Sequence, residues 1–193
     1  MKILGIGGSP RKGGNTDLIL KEILRGAENP GNQTEAIFLR DYCISPCTGC
    51  ERCRKDLTCT RFNDGMNLIY PKIEEAEVLI LGSPVYNYNI TSQMKSFIDR
   101  LYPYYIFSNE RPGQYSSRLA GKRRIALVFS VSEQTDPKEE GFTIEAMSRP
   151  LEALGYEAIK SFPVRGFFEK GAVLKNKGIM EEAFELGIKI ATG

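Results

Sequence analysis

Short apolar runs alternate with longer stretches of helical periodicity from one end of this chain to the other, and that alternation restricts its fold more than any other feature. Lys2–Gly7 reads as a first strand running into Gly-Gly-Ser-Pro. Thr16–Gly26 places Ile19, Leu20, Ile23 and Leu24 on one helical stripe, with Gly26 as its stop. Gln33–Leu39 reads as a second strand, and Asp64 as the N-cap of a helix carrying Met66, Ile69 and Ile73. In the third strand, Glu77–Gly82, the run Val78-Leu79-Ile80-Leu81 is apolar on both faces, as a parallel strand covered on both sides requires. Met94, Phe97, Ile98 and Leu101 mark the next helix, and Arg124–Val131 a fourth strand. A helix around Thr143–Leu154 follows, which Pro150 is expected to kink or divide. Ala158–Val164 makes the fifth strand and Gly178–Ala191 a closing amphipathic helix. The pattern predicts an α/β fold with an open, doubly wound parallel sheet.

At 193 residues the chain suits one well-buried domain, 1–193, without repeat or linker. A formal charge of +2 spread along it points to no nucleic-acid partner. No apolar run approaches the roughly 20 residues that span a bilayer, so no membrane partner is expected. Strand pattern from the first residues leaves no room for a signal peptide, making the cytoplasm the expected compartment. There is no histidine, which removes Ser-His-Asp, Cys-His and histidine-ligated metal chemistry. A bound cofactor is the natural alternative source of chemistry.

Two segments at strand ends carry candidate ligands. Gly7-Gly8-Ser9-Pro10-Arg11-Lys12-Gly13-Gly14-Asn15-Thr16 lies between the first strand and first helix, where doubly wound folds bind phosphate. Glycines let backbone N–H groups approach an anion; Ser9, Asn15 and Thr16 add side-chain donors, and Arg11 and Lys12 add charge. The loop is neither Gly-x-Gly-x-x-Gly nor a Walker loop, and its shape suits one terminal monophosphate, as in FMN. A plain glycine-rich turn with an N-cap is the simpler alternative. Gly82-Ser83-Pro84-Val85-Tyr86-Asn87-Tyr88-Asn89 ends the third strand on the same rim. It offers backbone N–H groups and an aromatic face to a flat heterocycle, or tyrosines for core packing.

Taken together, residues 8–16, Gly-Ser-Pro-Val-Tyr at 82–86 and Met-Lys-Ser-Phe-Ile-Asp-Arg at 94–100 closely resemble the NADPH-dependent FMN reductase superfamily, and within it the iron–sulfur flavoproteins. The resemblance implies a flavodoxin-like five-stranded sheet of order 2-1-3-4-5 with FMN at the carboxyl rim. It assigns the phosphate to Ser9, Arg11, Gly14, Asn15 and Thr16, and the isoalloxazine to Pro84, Val85, Tyr86 and Asn87. Ser130 and Ser132, after the fourth strand, would occupy the third FMN loop, although this segment lacks the glycine-rich pattern common in the superfamily.

All five cysteines lie between positions 43 and 59, inside a long connection at 40–63. Such a cluster in a reducing compartment reads as metal-binding or redox-active rather than as a disulfide framework. Cys47-x2-Cys50-x2-Cys53 lets one tight loop present three thiolates to three corners of a cubane, with Cys59 reaching back. Structural zinc usually takes two Cys-x2-Cys pairs with a longer spacer, and a metal-free loop is the other alternative. The spacing matches the iron–sulfur flavoprotein motif, and the resemblance thus implies a [4Fe–4S] cluster on Cys47, Cys50, Cys53 and Cys59. Cys43 stays outside as a free or packed thiol. The loop leaves the rim on which FMN should sit, so the cluster is expected on the flavin's side of the sheet, displaced beyond the first strand.

A second long connection, 102–121, carries Tyr102, Tyr104, Tyr105, Phe107 and Tyr115. It is expected to pack against the domain or a partner subunit, in keeping with a homo-oligomer (dimer or tetramer). Phe167 and Phe168 follow the fifth strand on the flavin rim, and Glu133–Glu140 reads as a solvated loop. The implied function is an electron-transfer flavoprotein. It would take electrons from a ferredoxin-type donor and reduce a small-molecule acceptor such as oxygen or hydrogen peroxide. The alternatives are a cluster-free NAD(P)H-dependent FMN or quinone reductase, and a non-catalytic flavin or zinc module.

Overall fold

The computed structural model describes residues 1–192, apart from the side chains of residues 158 and 159. In chain order its elements are β1 (Lys2–Gly7), α1 (Asn15–Ala27), β2 (Gln33–Phe38), the short α2 (Cys53–Asp56), α3 (Met66–Glu75), β3 (Val78–Pro84), α4 (Ser92–Asp99), β4 (Tyr105–Phe107), β5 (Tyr115–Ser117), β6 (Ile125–Val131), α5 (Thr143–Ala153), β7 (Glu157–Val164) and α6 (Lys177–Thr192). Five of the strands form one parallel sheet in the order β2-β1-β3-β6-β7. Counting only the strands of this sheet, that is the expected order 2-1-3-4-5. The order reverses at β1 and β3, which places their carboxyl ends beside the switch point of the sheet.

Alternation along the central strands explains the layers. Ile3, Val78, Ile80, Leu127 and Phe129 point to one face and pack with Ile19, Leu20 and Ile23 of α1 and Ala183 and Ile190 of α6. Leu4, Ile6, Leu79, Leu81 and Val128 point to the other and meet Met66 and Ile69 of α3, Phe97 of α4 and Met147 and Leu151 of α5. Burial on both faces is what the unbroken apolar run of β3 anticipated. On the first face α1 and α6 touch backbone to backbone: a Cβ at Gly26 would lie 2.0 Å from the Phe184 carbonyl oxygen, and one at Gly187 2.0 Å from that of Ile23.

Two local expectations change. Pro150 neither ends nor divides α5, which runs on to Ala153, because the loss of one N–H bond is outweighed by the burial of Met147 and Leu151. Asp64 does hold the start of α3, accepting from the Met66 N–H at 3.1 Å, although Gly65 separates it from the first helical residue. At the other end of α3, buried Arg124 donates to the carbonyls of Ile73 (3.0 Å), Glu74 (2.7 Å) and Ala76. The 102–121 connection folds as an antiparallel hairpin, β4–β5, rather than as a loop. Among the described residues, no helix is long and apolar enough to cross a membrane.

Candidate functional site

The loop between β1 and α1 meets the requirements of an anion site. Gly13 adopts a left-handed φ of +68°, and Gly14 caps α1 in extended conformation without a side-chain cap. The first-turn N–H groups of α1 therefore have no intrahelical acceptor and sit at the positive end of the helix dipole. Asp17 is the acid of that turn, which would repel an anion were it not engaged. Its carboxylate accepts from the Gly13 N–H at 2.7 Å and pairs with Arg40 at 2.9 Å. Arg40, from the turn after β2, also donates to the Ser9 carbonyl at 3.1 Å and stacks 4.5 Å from the centre of the Phe38 ring. Sequence reasoning passed over Arg40; an acid in the first turn of a phosphate-binding helix was the signal that a cation had to lie nearby.

A cleft of about 300 Å³ opens over this loop. Ser9, Arg11, Gly14, Asn15 and Thr16 line one side and Pro84, Val85, Tyr86 and Asn87 another. The two loops paired by sequence thus share one cavity, completed by Val131, Glu133, Phe167, Phe168 and Lys170. Arg11 lies 4.9 Å from the Phe168 ring centre and donates to its carbonyl at 3.3 Å, so one cation joins the phosphate end to the aromatic wall. Thr16 is buried and its hydroxyl makes no hydrogen bond among the described residues, which leaves it free for a ligand.

Several donors have other work. Asn15 lines the cleft, but its amide donates to the Glu169 carbonyl at 3.0 Å and accepts from the Val173 N–H at 3.2 Å, tying the loop after β7 to α1. The Val85 N–H goes to the Val131 carbonyl (2.8 Å) and that of Tyr86 to Asn89 (2.8 Å), the latter closing a turn with left-handed Asn87 and Tyr88. Ser130 and Ser132 do not line the cleft. The Ser130 hydroxyl donates to Glu140, and that of Ser132 to the Gln134 carbonyl at 2.9 Å. Both were assigned from their position after the fourth strand, but the pleat turns them inward, and Val131 and Glu133 face the cleft instead. Glu140 likewise leaves the solvated run expected for 133–140: it is buried and paired with Arg165 at 2.6 Å.

The cysteine segment forms a second pocket, of about 190 Å³. Cys47, Cys50, Cys53 and Cys59 all line it, together with Phe62, Tyr70, Arg100 and Tyr102. Cys43 does not, and is an exposed free thiol. Left-handed Gly49, Glu51 and Leu57 fold the segment back on itself around α2. The Gly49 N–H points at the Cys47 sulfur, at 3.5 Å. Donation from the backbone N–H of Arg52 draws the exposed Cys50 thiol below its ordinary range. Burial pushes the Cys53 thiol up to about 11, with Cys59, Cys47 and Cys50 adding to the rise. Four thiols this close resist ionising together unless a cation joins them. Among the described residues, no three acidic, cysteine or histidine side chains converge on one metal-ion position.

Arginines clamp this segment to the rest of the protein. Arg54 donates to the Ser108 carbonyl at 2.8 Å and lies 5.0 Å from the Phe107 ring centre, which docks α2 on the hairpin. Arg118 donates to the Leu57 carbonyl, and Arg111 pairs with Glu51. Below, Arg100 binds both oxygens of Asp64, at 2.8 and 3.1 Å, and the Ser45 carbonyl at 2.8 Å. The aromatics of the 102–121 connection stack among themselves, Tyr102 on Phe107 at 4.8 Å, and serve as the shelf under α2.

The two pockets share no lining residue. The cleft sits at the carboxyl rim, where α4 begins with Thr91 donating to the Gly8 carbonyl at 2.7 Å. The cysteine pocket abuts Asp99, Arg100 and Pro103 at the far end of α4, about 12 Å along the helix axis. The cysteines were expected on the flavin's side of the sheet, displaced beyond the first strand; the segment reaches as far as the far end of α4, where the Asp64–Arg100 pair and the hairpin hold it.

The sequence profile of NADPH-dependent FMN reductases matches residues 1–134. An iron–sulfur flavoprotein of Archaeoglobus fulgidus is 43% identical over 193 residues, covering 99% of this chain and 79% of its own. One from Methanocaldococcus jannaschii is 42% identical over 103 residues, 53% of each chain. Among solved structures, an NAD(P)H:quinone oxidoreductase from Methanothermobacter marburgensis superposes with a TM-score of 0.72 at 16% identity over 98% of both chains, and an FMN complex of an azoreductase from Bacillus anthracis with 0.70 at 17% over 99% of this chain and 100% of that one. Fold, rim cleft and cysteine spacing converge with a profile match over most of the chain: the chain belongs to the iron–sulfur flavoproteins within the NADPH-dependent FMN reductase family, and is a flavin-dependent oxidoreductase.

Proposed function

We propose that the chain is an FMN- and [4Fe–4S]-containing electron-transfer flavoprotein that takes single electrons from a ferredoxin-type donor and delivers pairs to a small acceptor such as oxygen or hydrogen peroxide. The observation that carries this reading is that Cys47, Cys50, Cys53 and Cys59 line one pocket while Cys43 stays outside. Four cysteines at Cys-x2-Cys-x2-Cys-x5-Cys spacing around one pocket suit a multi-iron group better than a single zinc ion. When bound, the cluster would supply one-electron chemistry and FMN the storage of two.

The residues at the rim fit FMN. The free Thr16 hydroxyl and the N-terminus of α1 receive the phosphate, with Arg11 and Lys170 supplying charge. Pro84, Val85, Tyr86 and Asn87 form the wall for the ring, and Phe167 and Phe168 shield it from water. Tyr86, Tyr88, Phe142 and Phe168 are exposed, the aromatic surface a second subunit would cover. With the pockets at opposite ends of α4, a homo-oligomer in which one subunit's cysteine pocket meets another's cleft shortens the electron path.

The test is anaerobic purification followed by a visible spectrum and iron and acid-labile sulfide assays. The reading expects about four of each per flavin after reconstitution, and faster reduction by ferredoxin than by NADPH. Flavin without iron or sulfide, reduced quickly by NADPH, would establish the NAD(P)H-dependent FMN or quinone reductase instead; the family profile is that of NADPH-dependent FMN reductases.

A further inference from the structure

Arg100 ends α4 with one of the largest fully buried side chains in the protein, 2% exposed. Its terminal nitrogens are spent on Asp64 and on the Ser45 carbonyl. Its Nε is buried without a hydrogen-bond partner among the described residues. Of the side-chain atoms in that condition, Nε of Arg100 alone belongs to a residue lining the cysteine pocket. A buried N–H donor without an acceptor is costly and rare in native structures.

The donor cannot turn elsewhere. Asp64 grips the guanidinium at both oxygens and is itself fixed by the N–H groups of Ser45 (2.9 Å) and Met66 (3.1 Å). The Phe62 ring centre lies 4.9 Å from the guanidinium carbon, and Tyr70 donates to the Arg100 carbonyl at 2.7 Å. Asp64 does not line the pocket, so the ion pair is an oriented dipole whose positive end faces the thiols. A neutral or cationic occupant would leave that end unanswered. A sulfur-rich anionic group held by four thiolates answers both the dipole and the orphan N–H.

We propose that Arg100 is the positioning residue that sets the reduction potential of the group bound by Cys47, Cys50, Cys53 and Cys59. Its Nε–H donates to a sulfur of that group, and the Asp64 pair keeps its positive end in place. This rests on the cluster reading above. Reduction adds one unit of negative charge to the group, and a fixed donor and positive end stabilise the reduced form more than the oxidised one. Arg100 therefore raises the potential, easing entry of an electron from a one-electron donor, without itself giving or taking an electron or a proton.

The test compares reconstituted holoprotein of four kinds by anaerobic potentiometric titration, with the cluster followed by electron paramagnetic resonance. These are the wild type, Arg100→Met/Asp64→Asn, Arg100→Lys, and Lys122→Gln as a surface-charge control. The double variant removes the dipole and the Nε donor with no change in net charge. At a fixed potential its reduced-to-oxidised ratio should fall at least tenfold, a midpoint lower by about 59 mV, with FMN content unchanged. Arg100→Lys keeps the charge but loses Nε, and should show a smaller fall in the same direction. Lys122→Gln should match the wild type. A wild-type midpoint in the double variant overturns the proposal. Should the double variant fail to fold or to hold iron, a wild-type midpoint in Arg100→Lys overturns it equally. A wild type without iron or sulfide after reconstitution fails the cluster reading itself, and is seen before any variant is measured.

Discussion

The phosphate loop and the cysteine segment both follow a strand of the same sheet, yet they are held in opposite ways. The first is short and framed by β1 and α1; its glycines and Asp17 settle its shape from within, and Arg40 adds one external brace. The second has no buried residue in α2 and three left-handed positions around it. Its shape is imposed from outside, by Arg100, Arg111 and Arg118 reaching in from other elements, while its own Arg54 reaches out to the hairpin. A loop of the first kind is organised before its ligand arrives. One of the second kind would complete its folding with a ligand, since metal binding and local folding form one equilibrium in such segments.

The sharpest way to break this contrast is to remove a thiol. Cys50→Ala or Cys53→Ala should abolish iron and sulfide binding while leaving FMN content unchanged, because the two pockets share no residue. Cys43→Ala, outside the pocket, should change neither. Iron, sulfide and flavin assays on the three variants check this. Loss of FMN in the Cys50 variant would show that the two regions are one cooperative unit.

Next in size is the Asp64–Arg100 pair, which joins the cysteine segment to α3 and α4. Removing one partner of a buried pair leaves the other charge uncompensated, at a cost of about 3–5 kcal/mol. Asp64→Asn should therefore lower the urea midpoint substantially. Burial opposes the Asp64 charge, but donation from Arg100 and from the Ser45 and Met66 N–H groups outweighs it, so its carboxyl titrates below the ordinary value of 3.8. With the folded value depressed, this stabilisation is complete above the ordinary carboxyl range. It is lost as pH falls below that range through the folded value. Wild-type stability should accordingly drop more steeply with acid below about pH 4 than that of Asp64→Asn. Parallel acid titrations of the two proteins would contradict the assignment.

The contrast also explains what could be read in the sequence. Periodicity revealed the sheet, its helices and the rim position of the two flavin loops, since each depends on residues adjacent in the chain. The four cysteines were legible by spacing for the same reason. Arg40, Arg54 and Lys170 were not, because each acts on a loop distant from it in sequence and carries no local signature, and the motif at 94–100 flagged Arg100 without its role. Ser130 and Ser132 were placed by position after a strand, which indicates the rim but not which side chains face the cleft; Val131 and Glu133 line it instead. The reach of the cysteine segment to the far end of α4 followed from Arg100 and the hairpin, neither of which a pattern of β- and α-like runs can locate.

Asn15 tests whether the phosphate loop is as self-contained as this comparison holds. Its side chain reaches the loop after β7, so it is one point at which the first region also depends on a distant one. Asn15→Ala leaves the buried Val173 N–H without its acceptor, a loss of about 1–3 kcal/mol. Both thermal stability and FMN affinity should fall, since Phe167, Phe168 and Lys170 move with that loop. If affinity alone falls, Asn15 is a direct ligand and the tether is unimportant; differential scanning calorimetry beside flavin titration separates the two.

Thr16 should show the smallest effect and the cleanest one. It is buried at the first turn of α1, lines the cleft, and its hydroxyl has no partner among the described residues. The near-isosteric Thr16→Val removes a donor that the protein itself does not use while keeping the buried volume, so stability should change far less than flavin affinity. A hydrogen bond to a charged phosphate is worth about 1.5–3 kcal/mol, and sharing that phosphate with the N–H groups of the helix start places Thr16 at the lower end of that range. FMN affinity should therefore fall roughly tenfold, and Thr16→Ser should restore most of it. Flavin-fluorescence titration against the apoprotein reads the difference directly. Equal affinities in Thr16→Val and wild type would mean that the N–H groups of the helix start hold the phosphate without help, which would make the first region more self-contained still.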